Sequence, residues 1–342
     1  MNKKHYIIAL LICLVILVSS CKKSGASSGT APRKPFIGGT SALSINFEKD
    51  GPPPEVTDDR SFAFNAIVRL KNEGETKVFR DDVKINLAGF DPSDFSINDF
   101  DEVRNNIPDN DLDPKRMDAE GNLIEGTVTF STFPKTQSDT FTPVTFNGNT
   151  EFTFRADVCY NYQTFANAKL CVLRDMINVR DTGGICKPSG AKPLHTSSGP
   201  VQVSNFRQSV VGKDKLAFTF DILLSSNVEI FWDNLESRPV SDFEEGCPRD
   251  PIRRRQRENT VGVEIMEIPL DPIVKSFRCG GLDRDGGKKG TVRLVSGKRT
   301  ITCTADLVQD RLDLEKNIGI NLIYNVMDNK QTKVLVKHLV SS

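Results

Sequence analysis

The chain has 342 residues, with 45 lysines and arginines and 45 aspartates and glutamates, so its formal net charge at pH 7 is zero. This balance excludes a strongly basic protein that would attract nucleic acid through its overall field, and equally a strongly acidic one. About 300 residues remain beyond the N-terminal segment, a length typical of two domains.

The first 20 residues have the pattern of a signal peptide. Lys3 and Lys4 precede an apolar run from Tyr6 to Val18, which is shorter than the roughly 20 residues needed to span a bilayer. The letters VSSC, ending at Cys21, resemble the lipobox of prokaryotic lipoproteins, whose cysteine becomes the lipid-modified first residue. We predict a signal peptide over residues 1–20 and lipidation of Cys21. The alternatives are a plain secretory signal or an uncleaved anchor, and all three place the remaining chain outside the cytoplasm.

We predict that residues 21–41 form a flexible tether. The stretch KKSGASSGTAPRKPFIGG is dominated by small residues and proline and contains few large apolar side chains. Such a composition buries too little surface to fold by itself. We therefore expect the folded part to begin near Ala42.

The rest of the chain predicts an all-β fold. Short runs in which apolar and polar residues alternate are separated by Gly, Pro, Asn and Asp, as in FAFNAIVRL, GTVTFSTF, LAFTFDILL and RTITCTADL. Period-two alternation rich in Phe, Val, Ile and Thr indicates half-buried strands. Many short strands joined by polar turns favour antiparallel sandwiches, and we predict two tandem immunoglobulin-like (Ig-like) β-sandwiches with loop insertions.

Three blocks recur in the same order in both halves. Residues 62–72 align with 216–226, residues 126–133 with 299–306, and residues 150–173 with 314–337. Such internal similarity indicates a duplicated domain. We predict one sandwich over residues 42–181 with an acidic insertion at 91–122, a linker at 182–199, and a second sandwich over 200–342 with a basic insertion at 237–259.

Six cysteines beyond Cys21 suggest three disulfides, since an even number in an exported chain favours bridges over metal binding. The repeat aligns Cys159 and Cys171 with Ile323 and Leu335, on either side of the turn-like run MDNKQT. If both copies fold back there, Cys159 and Cys171 face each other across a hairpin, and we predict that they are bonded. The other four cysteines allow three connectivities, of which we favour Cys279–Cys303 with Cys186–Cys247.

No catalytic motif is evident. His195 and His338 have no nucleophile or metal partner nearby in the sequence, and the common hydrolase and nucleotide-binding fingerprints are missing. We therefore expect a protein that is not an enzyme. The alternatives are an exported hydrolase that uses carboxylates on the insertion loops and a solute-binding lipoprotein, although the latter lacks its usual α/β pattern.

The acidic insertion contains a candidate calcium site. Its run DNDLDPKRMDAE places Asp109, Asp111, Asp113 and Glu120 at positions 1, 3, 5 and 12 of an EF-hand-like spacing. Pro114, however, stands where that loop needs glycine, and no helical pattern flanks the segment. We expect a solvated acidic loop and no cofactor, with calcium as the alternative.

The basic insertion contains a candidate anion-binding patch in PRDPIRRRQRE, formed by Arg253, Arg254, Arg255 and Arg257. Envelope glycan is one candidate partner. The run lacks the interleaved aromatic residues that stack nucleic-acid bases, so we expect no nucleic acid as a partner. An exposed loop balanced by neighbouring acidic residues is the interpretation we prefer.

The block from Gly38 to Glu75 resembles envelope proteins of prokaryotes, in particular archaea, that carry tandem Ig-like, cell-adhesion-related modules. The resemblance rests on PPPEV at residues 52–56, the strand at 62–70 and the turn NEGE at 72–75. It implies a non-catalytic surface protein and transfers no functional residues. With the lipobox, it suggests a lipid-anchored envelope protein acting in binding, adhesion or assembly, whose partners are the membrane and an envelope glycan or another surface protein.

Overall fold

The computed structural model describes residues 34–136, 138–178, 184–232, 240–268, 273–282 and 287–339. Within these residues the chain is nearly all β-structure arranged in several antiparallel sheets, so the all-β prediction is confirmed. The signal peptide, Cys21 and most of the predicted tether lie outside the described residues. No helix in the described part of the chain is both long enough and apolar enough to cross a membrane.

Short strands and two very long ones make up the fold. The described strands, in chain order, are β1 (Leu43–Phe47), β2 (Glu55–Thr57), β3 (Ala66–Asn72), β4 (Val83–Ala88), β5 (Arg116–Met117), β6 (Leu123–Ile124), β7 (Val128–Phe133), β8 (Thr150–Val172), β9 (Gly190–Ala191), β10 (Leu194–Thr196), β11 (Val201–Gly212), β12 (Lys215–Leu224), β13 (Glu229–Phe231), β14 (Thr260–Ile268), β15 (Val274–Gly280), β16 (Lys289–Arg293), β17 (Lys298–Leu307) and β18 (Leu314–Lys337). The described helices are three 3₁₀ turns (Arg80–Asp82, Pro92–Phe95 and Phe100–Val103), α1 (Phe243–Gly246) and α2 (Pro251–Arg257).

The two halves share one strand order. In the first half the strands β1-β3-β7 form a sheet, and in the second half β11-β12-β17 form the matching part of a sheet that β9 and β15 extend. Each half then adds a strand to its long strand, since β4 pairs with β8 and β14 pairs with β18. The aligned sequence blocks therefore occupy equivalent places in the two halves.

The long strands β8 and β18 pair with each other along their whole length and join the halves into one large sheet. Asn161 lies opposite Asn325, and these two residues occupy the same position in the aligned repeats. Lys169 and Lys333, also aligned, form ion pairs with Glu315 at 2.9 Å and Glu151 at 2.6 Å, respectively. Exchanging each residue for its equivalent in the other copy therefore reproduces the same residue pairs between β8 and β18. This is the relationship that a local twofold axis between Asn161 and Asn325 requires.

A single hydrophobic core runs through both halves. In the first half, alternate residues of β3 are fully buried, and Phe64 and Phe141 pack against Phe154 of β8 with ring centroids 6.0 and 5.7 Å apart. In the second half Phe218 and Phe220 of β12 belong to the same buried cluster. Two layers of sheet facing across a shared apolar core define a sandwich.

The predicted hairpin between Cys159 and Cys171 is wrong, because β8 continues straight through Phe165 and β18 continues straight through Asn329. Within the turn-like run of β18, Asn329, Lys330 and Gln331 are exposed, and β8 pairs with the backbone of the whole run. Along one strand, twelve residues span about 40 Å, which is far beyond the reach of a disulfide. A long-range partner strand therefore overrides the local turn preference.

Three disulfides are present in the described residues: Cys159–Cys247, Cys171–Cys186 and Cys279–Cys303. The predicted Cys279–Cys303 bridge is confirmed, and it joins directly opposed residues of β15 and β17. The predicted Cys159–Cys171 and Cys186–Cys247 bridges are wrong, because the straight strand β8 carries its two cysteines to different neighbours. Three disulfides indicate an oxidising, extracytoplasmic environment.

The predicted linker and tether take part in the fold. Within 182–199, β9 pairs with β11 and β10 pairs with β8. In the predicted tether, the amides of Ile37 and Gly38 each donate to the Glu75 carboxylate at 2.8 Å. The compact unit begins at Phe36 and extends through both halves, so the described structure does not divide into two separate sandwiches.

Candidate functional site

The acidic insertion at 91–122 folds as a set of capped turns rather than as a solvated loop. The carboxylates of Asp91 and Asp99 accept hydrogen bonds from backbone amides at the starts of the two 3₁₀ turns, at 3.0 and 2.9 Å. Four of its apolar residues are buried in the main core: Phe95, Ile97, Val103 and Leu112. Many of its acidic residues therefore serve as turn-forming groups.

The four candidate calcium ligands do not converge. Asp111 and Asp113 both contact the ammonium group of Lys77, at 3.0 and 3.2 Å. The backbone carbonyl of Asp109 accepts a hydrogen bond from Arg80 at 2.7 Å, while Glu120 lies in the turn between β5 and β6. Among the described residues, no group of three or more His, Cys, Asp or Glu side chains is arranged to hold a metal ion.

The candidate arginine patch lies on α2, and two of its four arginines bind other residues of the protein. Arg254 forms an ion pair with Glu229 at 2.6 Å and lies over the ring of Phe231, and Arg257 donates to the carbonyl of Glu245 at 2.7 Å. Arg253 and Arg255 make no side-chain contact of this kind within the described residues. The four guanidinium groups therefore do not form one anion-binding cluster.

The basic insertion is fixed to β8 by a bond and a charge network. Cys247, just after α1, is bonded to Cys159 of β8. Two residues further on, Arg249 donates to Asp157 of β8 at 2.6 Å, and Arg155 binds the same carboxylate through two hydrogen bonds, at 2.8 and 3.0 Å. Because Asp157 is 6% exposed, two guanidinium groups share one nearly buried carboxylate, and the Glu244 carboxylate accepts a hydrogen bond from the backbone amide of Arg249 at 2.9 Å.

The two insertions meet at this point. The backbone amide of Phe243 in α1 donates to the side-chain oxygen of Asn105 at 2.9 Å, and Arg249 lies over the Phe243 ring at 4.6 Å. Asn105 in turn donates its amide to the side chain of Asn86 on β4 at 2.7 Å. We call this meeting place the insertion junction.

A buried lysine and a half-buried aspartate lie at the start of β4. Burial lowers the pKa of Lys84 on β4, and burial raises the pKa of Asp82, which accepts a hydrogen bond from the amide of Val240. The Lys84 ammonium donates to the carbonyl of Asp81 at 2.6 Å, and Lys84 lies opposite Cys159 on β8.

The outer edge of β4 is only partly paired. Ile85 exchanges two hydrogen bonds with Asn106, at 2.8 and 3.0 Å, on the side of β4 that faces away from β8. Leu87 presents its N–H and C=O to the same side, because backbone groups point the same way at every second residue of a strand. No described strand pairs with β4 beyond Asn106. The chain then turns away at Gly89, whose φ is +97°.

A cavity of about 170 Å³ lies beside this free edge. Its apolar wall includes Leu87, Phe90 and Val103, and two arginines line it, Arg104 from the acidic insertion and Arg249 from the basic one. The Arg104 guanidinium lies 5.8 Å from the ring of Phe100 and makes no ion pair with any described residue. We call this cavity the junction pocket, and its free edge and guanidinium groups suit an anion attached to an extended backbone.

The histidines form no catalytic arrangement with the described residues. The Nδ1 of His338 lies 2.8 Å from a carboxylate oxygen of Asp58, which also accepts hydrogen bonds from the amides of Phe146 and Leu339. These bonds, with that of His338 first, lower the pKa of Asp58 to about 2. Among the described residues, no hydroxyl donates to the other ring nitrogen of His338. The hydrogen bond between Asp58 and His338 links the C-terminal end of β18 to the loop after β2. His195 lies opposite Asn167 in the β10–β8 ladder.

The sequence alone does not single out Arg104, Arg249 or the free edge at Leu87. Arg249 stands apart from the dense arginine run, and the sequence carries no mark of its contact with Asp157. A partial signal exists, because both arginines lie within the segments that interrupt the repeat. Which insertion residues meet depends on the Cys159–Cys247 bond and on the pairing of β4 with β8.

No family model matches the chain, and no curated protein matches it. The solved structures that match include two with weak similarity. For the secreted serine protease VesC from Vibrio cholerae, the identity is 8% and the TM-score is 0.17, over 87% of this chain and 52% of the protease, so the chain spans about half the protease's length. For the CupB6 tip adhesin from Pseudomonas aeruginosa, the identity is 10% and the TM-score is 0.16, over 88% of this chain and 98% of the adhesin. At these TM-scores neither similarity carries an argument.

Proposed function

We propose that this protein is a lipid-anchored, non-catalytic protein of the cell envelope that binds a partner molecule at the junction pocket. The observation that carries the proposal is the convergence of the two insertions on one cavity beside a free strand edge. The repeated strands build the rigid body, and the segments that interrupt the repeat differ between the copies and meet in one place. Recognition residues are often found on loops that a rigid scaffold positions.

The chemistry of the junction pocket favours binding over catalysis. Its charged groups are guanidinium groups, which stay protonated at physiological pH and therefore cannot act as general bases. The Leu87 amide at the strand edge donates hydrogen bonds but transfers no proton. A pocket with such groups holds an anion or a backbone without transforming it.

Anchoring at Cys21 is supported by the lipobox-like sequence and by the start of the compact unit at Phe36. Replacing Cys21 with Ser is expected to abolish incorporation of radiolabelled palmitate and to move the protein from the membrane fraction to the soluble envelope fraction. Ser24→Thr, which lies outside the lipobox-like VSSC run, is the matched control and keeps both properties. Equal labelling of Cys21→Ser and the unchanged protein would contradict lipid anchoring.

Partner binding at the junction pocket can be tested by photo-cross-linking on intact cells. Phe100 lines the pocket and is 45% exposed, whereas Phe62 lies outside it and is 44% exposed. A photoreactive benzoylphenylalanine at position 100 is expected to give a discrete cross-linked product, and the same group at position 62 is not. If neither position yields a product, or both yield the same set, the pocket is not where this protein binds its partner.

A further inference from the structure

We propose that the junction pocket binds the C-terminal carboxylate of an extended peptide, which adds a short strand to the free edge of β4. This inference rests on the proposed function, because it names the class of ligand for the same site. Three features of the pocket carry it: an open strand edge, a lining with two arginines and no acidic side chain, and an apolar wall of limited size.

The strand edge favours a polypeptide as the ligand. Ile85 shows that this side of β4 can form paired hydrogen bonds, since it exchanges two with Asn106. Leu87, which lines the junction pocket and is 4% exposed, has its N–H and C=O on that same side of β4. A peptide in an extended conformation can satisfy both groups, as in the addition of a strand to a sheet.

The charges favour a carboxylate at the end of that peptide. Arg249 shares Asp157 with Arg155 and has the Glu244 carboxylate at its backbone amide, whereas Arg104 has no carboxylate partner among the described residues. The residues lining the pocket include no acidic side chain. A carboxylate placed between Arg104 and Arg249 would make charge-assisted hydrogen bonds, which are about twice as strong as neutral ones.

The size of the pocket limits the ligand to the end of a chain. A volume of about 170 Å³ accommodates roughly one residue, and the wall formed by Leu87, Phe90 and Val103 suits an aliphatic side chain. The chain leaves the edge at Gly89, so pairing can extend over only one or two residues. A terminal residue matches these limits because its carboxylate directly follows its last backbone N–H.

The test uses the full chain, purified in detergent with its disulfides intact, on an array of hexapeptides. Each sequence is present once with a free C-terminal carboxylate and once as the C-terminal amide. We expect binding to a subset of the free-carboxylate peptides with aliphatic last residues, and at least tenfold weaker binding to their amides. Absence of any carboxylate-dependent binder, or binding that depends only on internal acidic side chains, would overturn the proposal.

Arg104→Gln and Arg255→Gln form a matched pair of variants. Each removes one positive charge from an exposed arginine in an insertion, but only Arg104 lines the pocket. The affinity of Arg104→Gln for the selected peptide should fall at least tenfold, and that of Arg255→Gln should stay within twofold. Equal losses in both variants would show a non-specific charge effect and refute the site.

Hydrogen exchange reports the strand edge directly. Saturating peptide is expected to slow exchange of the backbone amide of Leu87, while the amides of β17 remain unchanged. Unaltered exchange at Leu87 with a bound peptide would refute strand addition. If the array gives no carboxylate-dependent binder while the cross-link at position 100 persists, only the ligand class fails. Loss of that cross-link as well defeats the proposed function.

Discussion

The side-chain amide of Asn161 donates a hydrogen bond to the side-chain oxygen of Asn325 at 2.9 Å. These residues hold the same position in the two copies of the repeat, so the contact lies on the local twofold axis that relates the halves. The duplicated sequence therefore forms its central contact between two copies of one residue. Because β8 and β18 pair on both sides of this point, each half supplies a sheet edge that the other half covers.

This shared sheet predicts that neither half folds alone. A chain of residues 34–178 would expose the whole edge of β8 that β18 covers, and isolated edges of this length lead to aggregation. We expect such a fragment, and its counterpart 184–342, to lack a cooperative thermal transition by circular dichroism. The full chain is the control, and cooperative unfolding of either fragment in isolation would contradict the shared-sheet interpretation.

Removing a disulfide should lower the free energy of unfolding by an amount that increases with the length of the loop that the disulfide closes. Cys171–Cys186 spans 15 residues and Cys159–Cys247 spans 88. In the chain-entropy account, the paired Ser variants lose about 3 and about 4–5 kcal/mol of unfolding free energy, respectively. Urea unfolding measures both losses.

Peptide mapping without reductant provides the accompanying check of connectivity. Linked peptides should contain Cys159 with Cys247, Cys171 with Cys186, and Cys279 with Cys303. Recovery of a peptide linking Cys159 to Cys171 would contradict the continuous strand β8.

Arg311 is expected to be among the most sensitive single positions. Its buried guanidinium donates to the carboxylate of Asp214 at 2.6 Å and to four backbone carbonyls, of Leu173, Val308, Arg174 and Lys213. Arg311→Met leaves these acceptors unpaired and should lower the free energy of unfolding by about 3 kcal/mol.

Two further variants separate the hydrogen bonds of Arg311 from its charge. Arg311→Lys keeps the charge but offers three donors instead of five, so it should recover less than half of the loss. Arg174→Met, at an exposed side chain in the same region, should change stability by less than about 0.5 kcal/mol. Denaturant unfolding of all three variants decides, and a similar loss in Arg311→Met and Arg174→Met would refute this role.

The bond between Asp58 and His338 makes stability depend on acid pH. The pKa of Asp58 is lowered from 3.8 to about 2, so the folded state favours its carboxylate form. This contribution is present above about pH 4 and is lost as the pH falls through about 2. The melting temperature of Asp58→Asn should therefore lie below that of the unchanged protein at pH 6, and the gap should narrow at pH 2.5.

Asp50→Asn, at an exposed carboxylate, controls for the loss of one negative charge. Thermal melts of the three proteins at both pH values measure the effect. A gap for Asp58→Asn that is as wide at pH 2.5 as at pH 6 would show that the carboxylate form of Asp58 does not stabilise the fold.

The amino-acid sequence by itself determined the all-β class and the internal repeat, whereas it left three connectivities open for the cysteines that include Cys279 and Cys303. The all-β class and the repeat depend on local alternation and on similarity between segments, both of which can be read along the chain. Only the tertiary structure decided that β8 and β18 run straight through their turn-like residues, because each strand satisfies the backbone of the other over more than 20 residues. In that arrangement Cys159 forms its disulfide with Cys247, and Arg249 forms an ion pair with Asp157. The junction pocket follows from it, since residues far apart in the sequence meet only when the two copies share one sheet.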